Sequence, residues 1–320
     1  MSAINPTADQ RGFIAIDWGT SSFRLRALDD RGNVIAQAES GSGVSRLGRN
    51  ALLPFLQAEI AKLPEAAQSY PIIMCGMVGS NIGLQAVPYA QCPLDPATLA
   101  EQIEPLNSTA DSSLHASIVP GLSARNGTGE LEVMRGEETQ IVGWLAQADE
   151  AQKQQSLLCL PGTHAKWAQV RDGQVAGFHT AMTGEVYALL NEHSVLVQGE
   201  QQFDDAAFDA GVAASHSETA GSGALLQQLF STRTRVLDGK LPAQHSSAYL
   251  SGLLIGSEIR HAVSANQAPM VVQLIGSERI TRLYRKALQI LGVDCQCHDG
   301  ESLALAGLQF FARRTTQPSA

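Results

Sequence analysis

Short apolar runs closed by polar, glycine-containing turns set the pattern of the first forty residues. Residues 13–16 are apolar and predict a buried strand, and residues 17–22 predict a tight polar turn. Residues 23–28 alternate between apolar and polar side chains, which predicts a return strand. A turn at 30–32 and a third strand from Val34 would complete a three-stranded meander.

The same plan recurs later in the chain. Residues 157–160 predict a buried strand, 161–164 a turn and 166–170 a return strand. Another turn at 171–173 precedes a third strand from Val175. The pair Gly19-Thr20 thus matches the pair Gly162-Thr163, and we interpret the two copies as duplicated lobes.

Strands that alternate with helices indicate an α/β architecture. Helical patterns follow each meander, at 51–63 and 184–197. Further buried strands are predicted at 71–75 and 270–275, and the second of these leads into a helix at 278–291.

Residues 146–155 are polar, prone to helix and poor in β-branched residues, so they are the best candidate boundary between the lobes. We therefore predict an N-terminal lobe at 1–145 and a C-terminal lobe at 146–320.

Composition and charge restrict the classes of molecule that the protein is expected to bind. The chain has 320 residues, 22 basic against 31 acidic residues and a net charge of -9, so nucleic acid and anionic membranes are disfavoured. No apolar run approaches the roughly 20 residues that span a bilayer. The five cysteines form no C-x-x-C motif and predict free thiols. We expect a cytoplasmic protein that binds small molecules.

The first candidate for chemistry is the turn that begins at Asp17. A carboxylate at a strand end can hold Mg²⁺ through water, while Gly19 lets backbone N–H groups approach phosphate oxygens. The hydroxyls of Thr20 and Ser21 would donate further hydrogen bonds. An ordinary hairpin turn built from Asp and Ser is the structural alternative.

The matching turn of the second copy would bind phosphate from the other side of a central cleft. Its candidates are Gly162, Thr163 and Lys166, with His164 as a donor to phosphate or to a substrate carboxylate. Leu160 occupies the position that corresponds to Asp17, so we expect any metal to be held by the first lobe.

Two adjacent acids, Glu137 and Glu138, stand where a helix is predicted to begin. Acids there complement the helix dipole, which is sufficient reason for their presence. The functional alternative is that one of them is a catalytic base, with Arg135 either tuning that base or binding an acid group of the substrate.

Three other glycine turns carry polar residues that could contact a ligand or simply cap a helix. Ser80 and Asn81 lie in the turn after the strand at 71–75. Thr183 and Glu185 flank Gly184, the first residue of the helix predicted at 184–197. Gly276 and Ser277 precede the helix at 278–291 and could contact a nucleotide. The chain has no P-loop, no dinucleotide fingerprint, no nucleophile elbow and no H-E-x-x-H zinc motif.

Taken in order, these turns resemble the two phosphate loops and the adenosine loop of the acetate and sugar kinase/Hsp70/actin superfamily. The resemblance is closer to the family of 2-dehydro-3-deoxygalactonokinases, and six segments carry it. These segments are residues 15–19, 76–81, 134–140, 161–164, 182–185 and 251–256.

This resemblance implies a two-lobed actin/hexokinase-like, ribonuclease H-like fold. It also implies ATP- and Mg²⁺-dependent phosphorylation of 2-dehydro-3-deoxy-D-galactonate at its 6-hydroxyl, in galactonate breakdown. Residues 135–138 also resemble a stretch of exopolyphosphatases of the same superfamily, which favours Glu138 over Glu137 as the base.

Alternative functions on the same fold are a phosphohydrolase of the exopolyphosphatase type and a non-catalytic sugar-acid sensor. A homodimer is one assembly that we consider.

Overall fold

The computed structural model describes residues 12–107, 114–215, 225–264 and 271–315. The strands are β1 (Phe13–Trp18), β2 (Phe23–Leu28), β3 (Val34–Ser40), β4 (Ile72–Cys75), β5 (Ala90–Gln91), β6 (Glu104–Pro105), β7 (Ala116–Ile118), β8 (Leu122–Arg125), β9 (Leu131–Met134), β10 (Gln155–Leu160), β11 (Ala165–Arg171), β12 (Gln174–Ala181), β13 (Val272–Gly276) and β14 (Cys295–Asp299). The helices are α1 (Val44–Leu47), α2 (Arg49–Ile60), α3 (Pro96–Ala100), α4 (Glu137–Leu145), α5 (Glu150–Gln154), α6 (Thr183–His193), α7 (Asp205–Ser215), α8 (Leu225–Leu237), α9 (Ser246–Ser264), α10 (Glu278–Ile290) and α11 (Gly300–Thr315).

Two larger sheets share one topology. The first has the order β3-β2-β1-β4-β7-β6, and the second has the order β12-β11-β10-β13-β14. In each sheet an antiparallel meander places its first strand in the centre, where that strand pairs in parallel with the next strand along the chain. This arrangement confirms the predicted duplication and the ribonuclease H-like α/β class. A third, smaller sheet has the order β5-β8-β9.

The strand register explains how the two copies correspond. Asp17 pairs with Cys75 on β4, one residue before Gly76, and with Arg24 on β2. On the second sheet Leu160 pairs with Lys166, and the preceding Cys159 pairs with Leu274 on β13. Leu160 therefore stands at the position of Asp17, as predicted.

Each sheet has its own hydrophobic core. In the first, the buried side of β1 packs against β4 and helix α2, with Trp18 fully buried beside Phe23. In the second, β10 and β13 pack against α9, which is buried along most of its length.

The described residues divide into two compact units. The first comprises the residues up to Lys153, residues 172–177 and the helix from Glu301 onward; the second comprises residues 154–171 and 178–300. The break after Lys153 lies inside the boundary segment 146–155. The predicted lobes, 1–145 and 146–320, place the C-terminal helix in the second lobe, whereas the contacts place it in the first unit.

Helix α11 joins the first unit through a close helix–helix approach. A Cβ atom at Gly143 of α4 would lie 1.9 Å from the carbonyl oxygen of Leu303, and one at Gly307 would lie 2.0 Å from that of Thr139. Both positions therefore require glycine. Among the described residues, none of the helices has the length and hydropathy of a transmembrane segment.

Candidate functional site

The predicted first phosphate loop, which begins at Asp17, follows the core of β1 and is held by hydrogen bonds from helix α1. The carbonyl oxygen of Gly19 accepts from the Val44 amide at 3.0 Å, and that of Thr20 accepts from the Ser45 hydroxyl at 2.7 Å. The loop closes on itself because the Gly19 amide donates to Ser22 at 2.9 Å. Thr20 and Ser21 are exposed at its tip, where both could contact a ligand.

Asp17 lies at the start of this loop within a network of ion pairs. Its Oδ2 atom is 3.6 Å from Nη1 of Arg24, and Arg24 also pairs with Glu39 and with Glu301 at 3.0 Å each. Burial raises the pKa of Asp17, while the positive charge of Arg24 lowers it. The Asp17 side chain nevertheless keeps 27% of its surface exposed, so it remains accessible to a ligand.

Glu137 and Glu138 begin helix α4, but their environments differ. Glu138 is fully buried, and its Oε2 and Oε1 atoms accept from the Gly136 amide at 2.6 Å and the Thr139 hydroxyl at 2.9 Å. Burial and then the nearby charge of Glu137 raise the pKa of Glu138 to about 8. Glu137 is partly exposed and accepts from the Arg135 amide at 3.1 Å.

The buried thiol of Cys75 connects the two acidic positions. Its Sγ atom is 4.0 Å from Oδ1 of Asp17. Burial raises the pKa of Cys75, and the negative charges of Asp17 and Glu138 raise it further. The structure therefore brings Asp17 and Glu138 to the same end of the first sheet, around one thiol.

Arg135 lies in a cradle beside the turn that follows β4. Its guanidinium stacks on Tyr89 at 4.4 Å, and its Nη2 atom donates to the carbonyl oxygen of Val87 at 2.7 Å. Its Nε and Nη1 atoms are buried and have no hydrogen-bond partner among the described residues. Of the neighbouring candidates, Ser80 is buried and donates to Met77, whereas Asn81 is exposed.

The predicted second phosphate loop, residues 161–164, is supported by the start of helix α6. The Glu185 amide donates to the carbonyl oxygen of Thr163 at 3.0 Å. A Cβ atom at Gly184 would lie 2.4 Å from the carbonyl oxygen of Gly162, so only glycine allows this approach. Gly162, Thr163 and His164 are exposed.

Two residues predicted to contact the substrate touch each other: Nε2 of His164, on the loop, hydrogen-bonds Oε2 of Glu185, on helix α6. Lys166, which we predicted to contact phosphate, is only 7% exposed, and its ammonium donates to the Thr180 hydroxyl at 3.1 Å. It therefore lies further inside the protein than the tip of the loop.

The predicted adenosine loop lies beside the second phosphate loop. A Cβ atom at Gly276 would lie 3.9 Å from Cδ of Pro161, since β10 and β13 are parallel neighbours that end at one edge of the sheet. The carbonyl oxygen of Ser277 accepts from the Thr281 hydroxyl at 3.1 Å, which fixes the loop to the first turn of α10. Ligands of α/β sheets commonly bind at such carboxyl edges.

The described residues contain no cluster of three or more His, Cys, Asp or Glu side chains that could hold a metal ion. Asp17, a single accessible carboxylate, suits Mg²⁺, which keeps several waters and takes other ligands from substrate phosphates.

The sequence interpretation missed two acids. Glu301 forms ion pairs with Arg24 and Arg26, which lie near the other end of the sequence, and no local sequence pattern predicts such a contact. Glu258 is buried in α9. The sequence could have indicated this acid, because it is the only charged residue between Ser246 and Ile259.

Comparison with known proteins gives consistent matches over nearly the whole chain. A family model described as 2-keto-3-deoxy-galactonokinase matches residues 17–311. The chain is 36% identical over 305 residues to a probable 2-dehydro-3-deoxygalactonokinase, DgoK1, of Rhizobium meliloti (strain 1021), covering 94% of this chain and 96% of that protein. It is 34% identical over 302 residues to the 2-dehydro-3-deoxygalactonokinase of Escherichia coli (strain K12), covering 94% and 97%.

Solved structures give matches of the same kind. A crystal structure from Sinorhizobium meliloti, described as the same type of protein, has a TM-score of 0.84 and 33% identity, and the match covers 94% of this chain and 98% of that one. The (R)-2-hydroxyglutaryl-CoA dehydratase component A of Acidaminococcus fermentans shares the fold, with a TM-score of 0.50 and 11% identity over 95% and 99% of the two chains.

Proposed function

Because the chain belongs to the 2-keto-3-deoxy-galactonokinase family, we propose that it transfers the γ-phosphoryl group of ATP to the 6-hydroxyl of 2-dehydro-3-deoxy-D-galactonate. The products would be 2-dehydro-3-deoxy-6-phosphogalactonate and ADP, in the cytoplasmic breakdown of galactonate. The family match over residues 17–311 carries this proposal, since it includes every candidate residue from Asp17 to Ser277.

Phosphoryl transfer depends mainly on positioning the reactants and stabilising charge. Asp17 would hold Mg²⁺ through water, and the bound ion would neutralise charge on the ATP phosphates. In the first unit Gly19, Thr20 and Ser21 would bind phosphate oxygens. In the second unit the residue pairs Gly162-Thr163 and Gly276-Ser277 would bind phosphate and adenosine, respectively.

We assign the proton-accepting role to Glu138. A general base works best when its pKa lies near the working pH, and the pKa of about 8 at Glu138 meets that condition. Because this carboxylate is fully buried, it must turn away from the Gly136 amide to reach a hydroxyl. Glu137 is the alternative base, since it is partly exposed and lies in the same helical turn.

The acid group of the substrate would bind near Arg135. This guanidinium has two buried nitrogen atoms without partners among the described residues, and an arginine with unpaired donors favours a carboxylate ligand. Ser80 and Asn81 follow the adjacent strand β4 and would contact hydroxyls of the sugar acid. His164, Thr183 and Glu185 are the candidates for substrate contacts in the second unit.

A coupled assay of ADP release over a panel of 2-keto-3-deoxy sugar acids tests the proposal. We expect ADP to form only when ATP, Mg²⁺ and an accepted sugar acid are all present, with the galacto and gluco epimers compared directly. Release of phosphate without any sugar acid would instead indicate a phosphohydrolase. If no acid of the panel leads to ADP, the kinase assignment is refuted.

A further inference from the structure

A buried carboxylate in the second unit has no place in the chemistry proposed above. Glu258 of α9 is 7% exposed, and its Oε1 and Oε2 atoms accept from the Trp167 indole and the Tyr284 hydroxyl, both at 2.7 Å. The side chain of Thr183 also hydrogen-bonds to it. Burial raises the pKa of Glu258, and these three hydrogen bonds oppose the shift. Such a group is retained at a cost in stability, so a specific role is expected.

One of the three donors belongs to the support of the second phosphate loop. Thr183 is the first residue of α6, and the next two residues hold the loop directly. Gly184 packs against the Gly162 carbonyl, and the Glu185 amide donates to the Thr163 carbonyl. A displacement of Thr183 would therefore move the backbone that carries the predicted phosphate contacts.

A second donor belongs to the helix that begins at the adenosine loop. Tyr284 lies on α10, whose first turn is tied to Ser277 by the Thr281 hydroxyl. Its phenol reaches the other oxygen of the same carboxylate. The third donor, Trp167, lies on β11, the strand that returns from the second phosphate loop, so all three elements meet at Glu258.

We infer that Glu258 is a positioning residue for nucleotide binding, which holds the second phosphate loop and the adenosine loop in a fixed relation through Thr183 and Tyr284. The inference rests on the proposed function, because it requires that these loops bind ATP. Glu258 itself touches neither the phosphates nor the adenosine in this account.

The test measures ATP affinity by calorimetry, without sugar acid, for the wild-type protein and three single variants. Glu258→Gln and Thr183→Val should each weaken ATP binding by about tenfold. Thr183→Val removes a hydrogen bond to the buried carboxyl group, and Glu258→Gln replaces an oxygen that accepts a hydrogen bond by an amide nitrogen that cannot accept one. The control is Thr232→Val, because Thr232 is fully buried on α8 and its hydroxyl has no partner among the residues described for this chain. It should bind ATP like the wild type.

Two further measurements separate positioning from general loss of structure. The double variant Thr183→Val/Glu258→Gln should bind ATP no more weakly than Glu258→Gln alone, because the threonine acts through the carboxylate. In the coupled assay, the KM for ATP should rise about tenfold in Glu258→Gln, while the KM for the sugar acid stays unchanged, because Glu258 is not among the candidate substrate contacts.

The outcomes are distinguishable. If the wild type binds ATP and both Thr183→Val and Glu258→Gln bind it equally well, the inference is overturned and the proposed function stands. Equal weakening in Thr232→Val would also overturn it, since a threonine without a hydrogen bond to Glu258 would then have the same effect. A wild-type protein that binds no ATP would refute both the inference and the proposed function.

Discussion

Replacing Glu138 by glutamine changes the charge of a fully buried group while keeping its shape. Glutamine still offers an oxygen to the Gly136 amide, and its amide can donate to the Thr139 hydroxyl, so both hydrogen bonds have replacements. What the variant loses is the ability to titrate. Its stability therefore isolates the cost of ionising this one carboxylate inside the protein.

The sign and size follow from the pKa of Glu138, which rises from 4.5 to about 8 on folding. Between these values the unfolded chain has released the proton and the folded chain retains it, so raising the pH favours unfolding. The stabilisation is complete below pH 4.5 and is lost as the pH rises through 8. At about 1.4 kcal/mol for each pH unit, the whole effect is about 5 kcal/mol.

Urea unfolding of the wild type and of Glu138→Gln at several pH values between 5 and 9 measures this difference directly. We expect the variant to gain stability relative to the wild type as the pH rises, by about 4 kcal/mol over the range. Comparing the two proteins at each pH cancels the titration of all other groups. Parallel stability curves would show that Glu138 does not titrate in this range and would refute the reasoning.

The same variant tests the catalytic assignment. If Glu138 is the base, Glu138→Gln should lose about 10²–10⁴-fold in turnover while still binding ATP. The wild-type turnover should rise with pH as the carboxylate ionises near pH 8. Glu137→Gln is the matched control, and a large loss there with near-normal turnover in Glu138→Gln would move the role to Glu137.

Three further substitutions test other parts of the site. Asp17→Asn should lose most of its turnover, and raised Mg²⁺ should restore part of it; a variant whose residual rate ignores the Mg²⁺ concentration would argue against a metal role. Gly184→Ala places a methyl group 2.4 Å from the Gly162 carbonyl, so the KM for ATP should rise with a loss of about 1–3 kcal/mol in binding, whereas Gly177→Ala, which meets nothing within 4 Å, should behave like the wild type. Arg135→Lys should raise the KM for the sugar acid and leave the KM for ATP unchanged, because lysine lacks the planar guanidinium; equal KM values for the acid would remove Arg135 from the site.

The sequence predicted the architecture well because hydrophobic periodicity and glycine turns are local signals. The helix predicted at 278–291 is α10, and the strand predicted at 71–75 is β4. The repeat also matched Leu160 to Asp17 correctly, since each lies near the end of the central strand of its sheet, two residues before the glycine of the following turn.

What the sequence could not supply was the environment of each side chain. Glu137 and Glu138 are chemically equal in the sequence, and only the three-dimensional structure distinguishes a fully buried carboxylate from a partly exposed one. Lys166 is predicted to contact phosphate from its place in the second turn, and the sequence did not reveal that its ammonium donates to the Thr180 hydroxyl. Glu301 was invisible because its partner Arg24 is distant in sequence.

The return of helix α11 to the first unit affects how the protein must be made. Helix α4, which begins with both candidate bases, packs through Gly143 against helix α11, which is synthesised much later. When residues 1–153 have left the ribosome, the strands of the first sheet are present but helix α11, which belongs to the same unit, is not. The first unit can therefore be completed only after helix α11 has emerged, so a chain that stops before α11 would carry the proposed catalytic acids without a complete first unit.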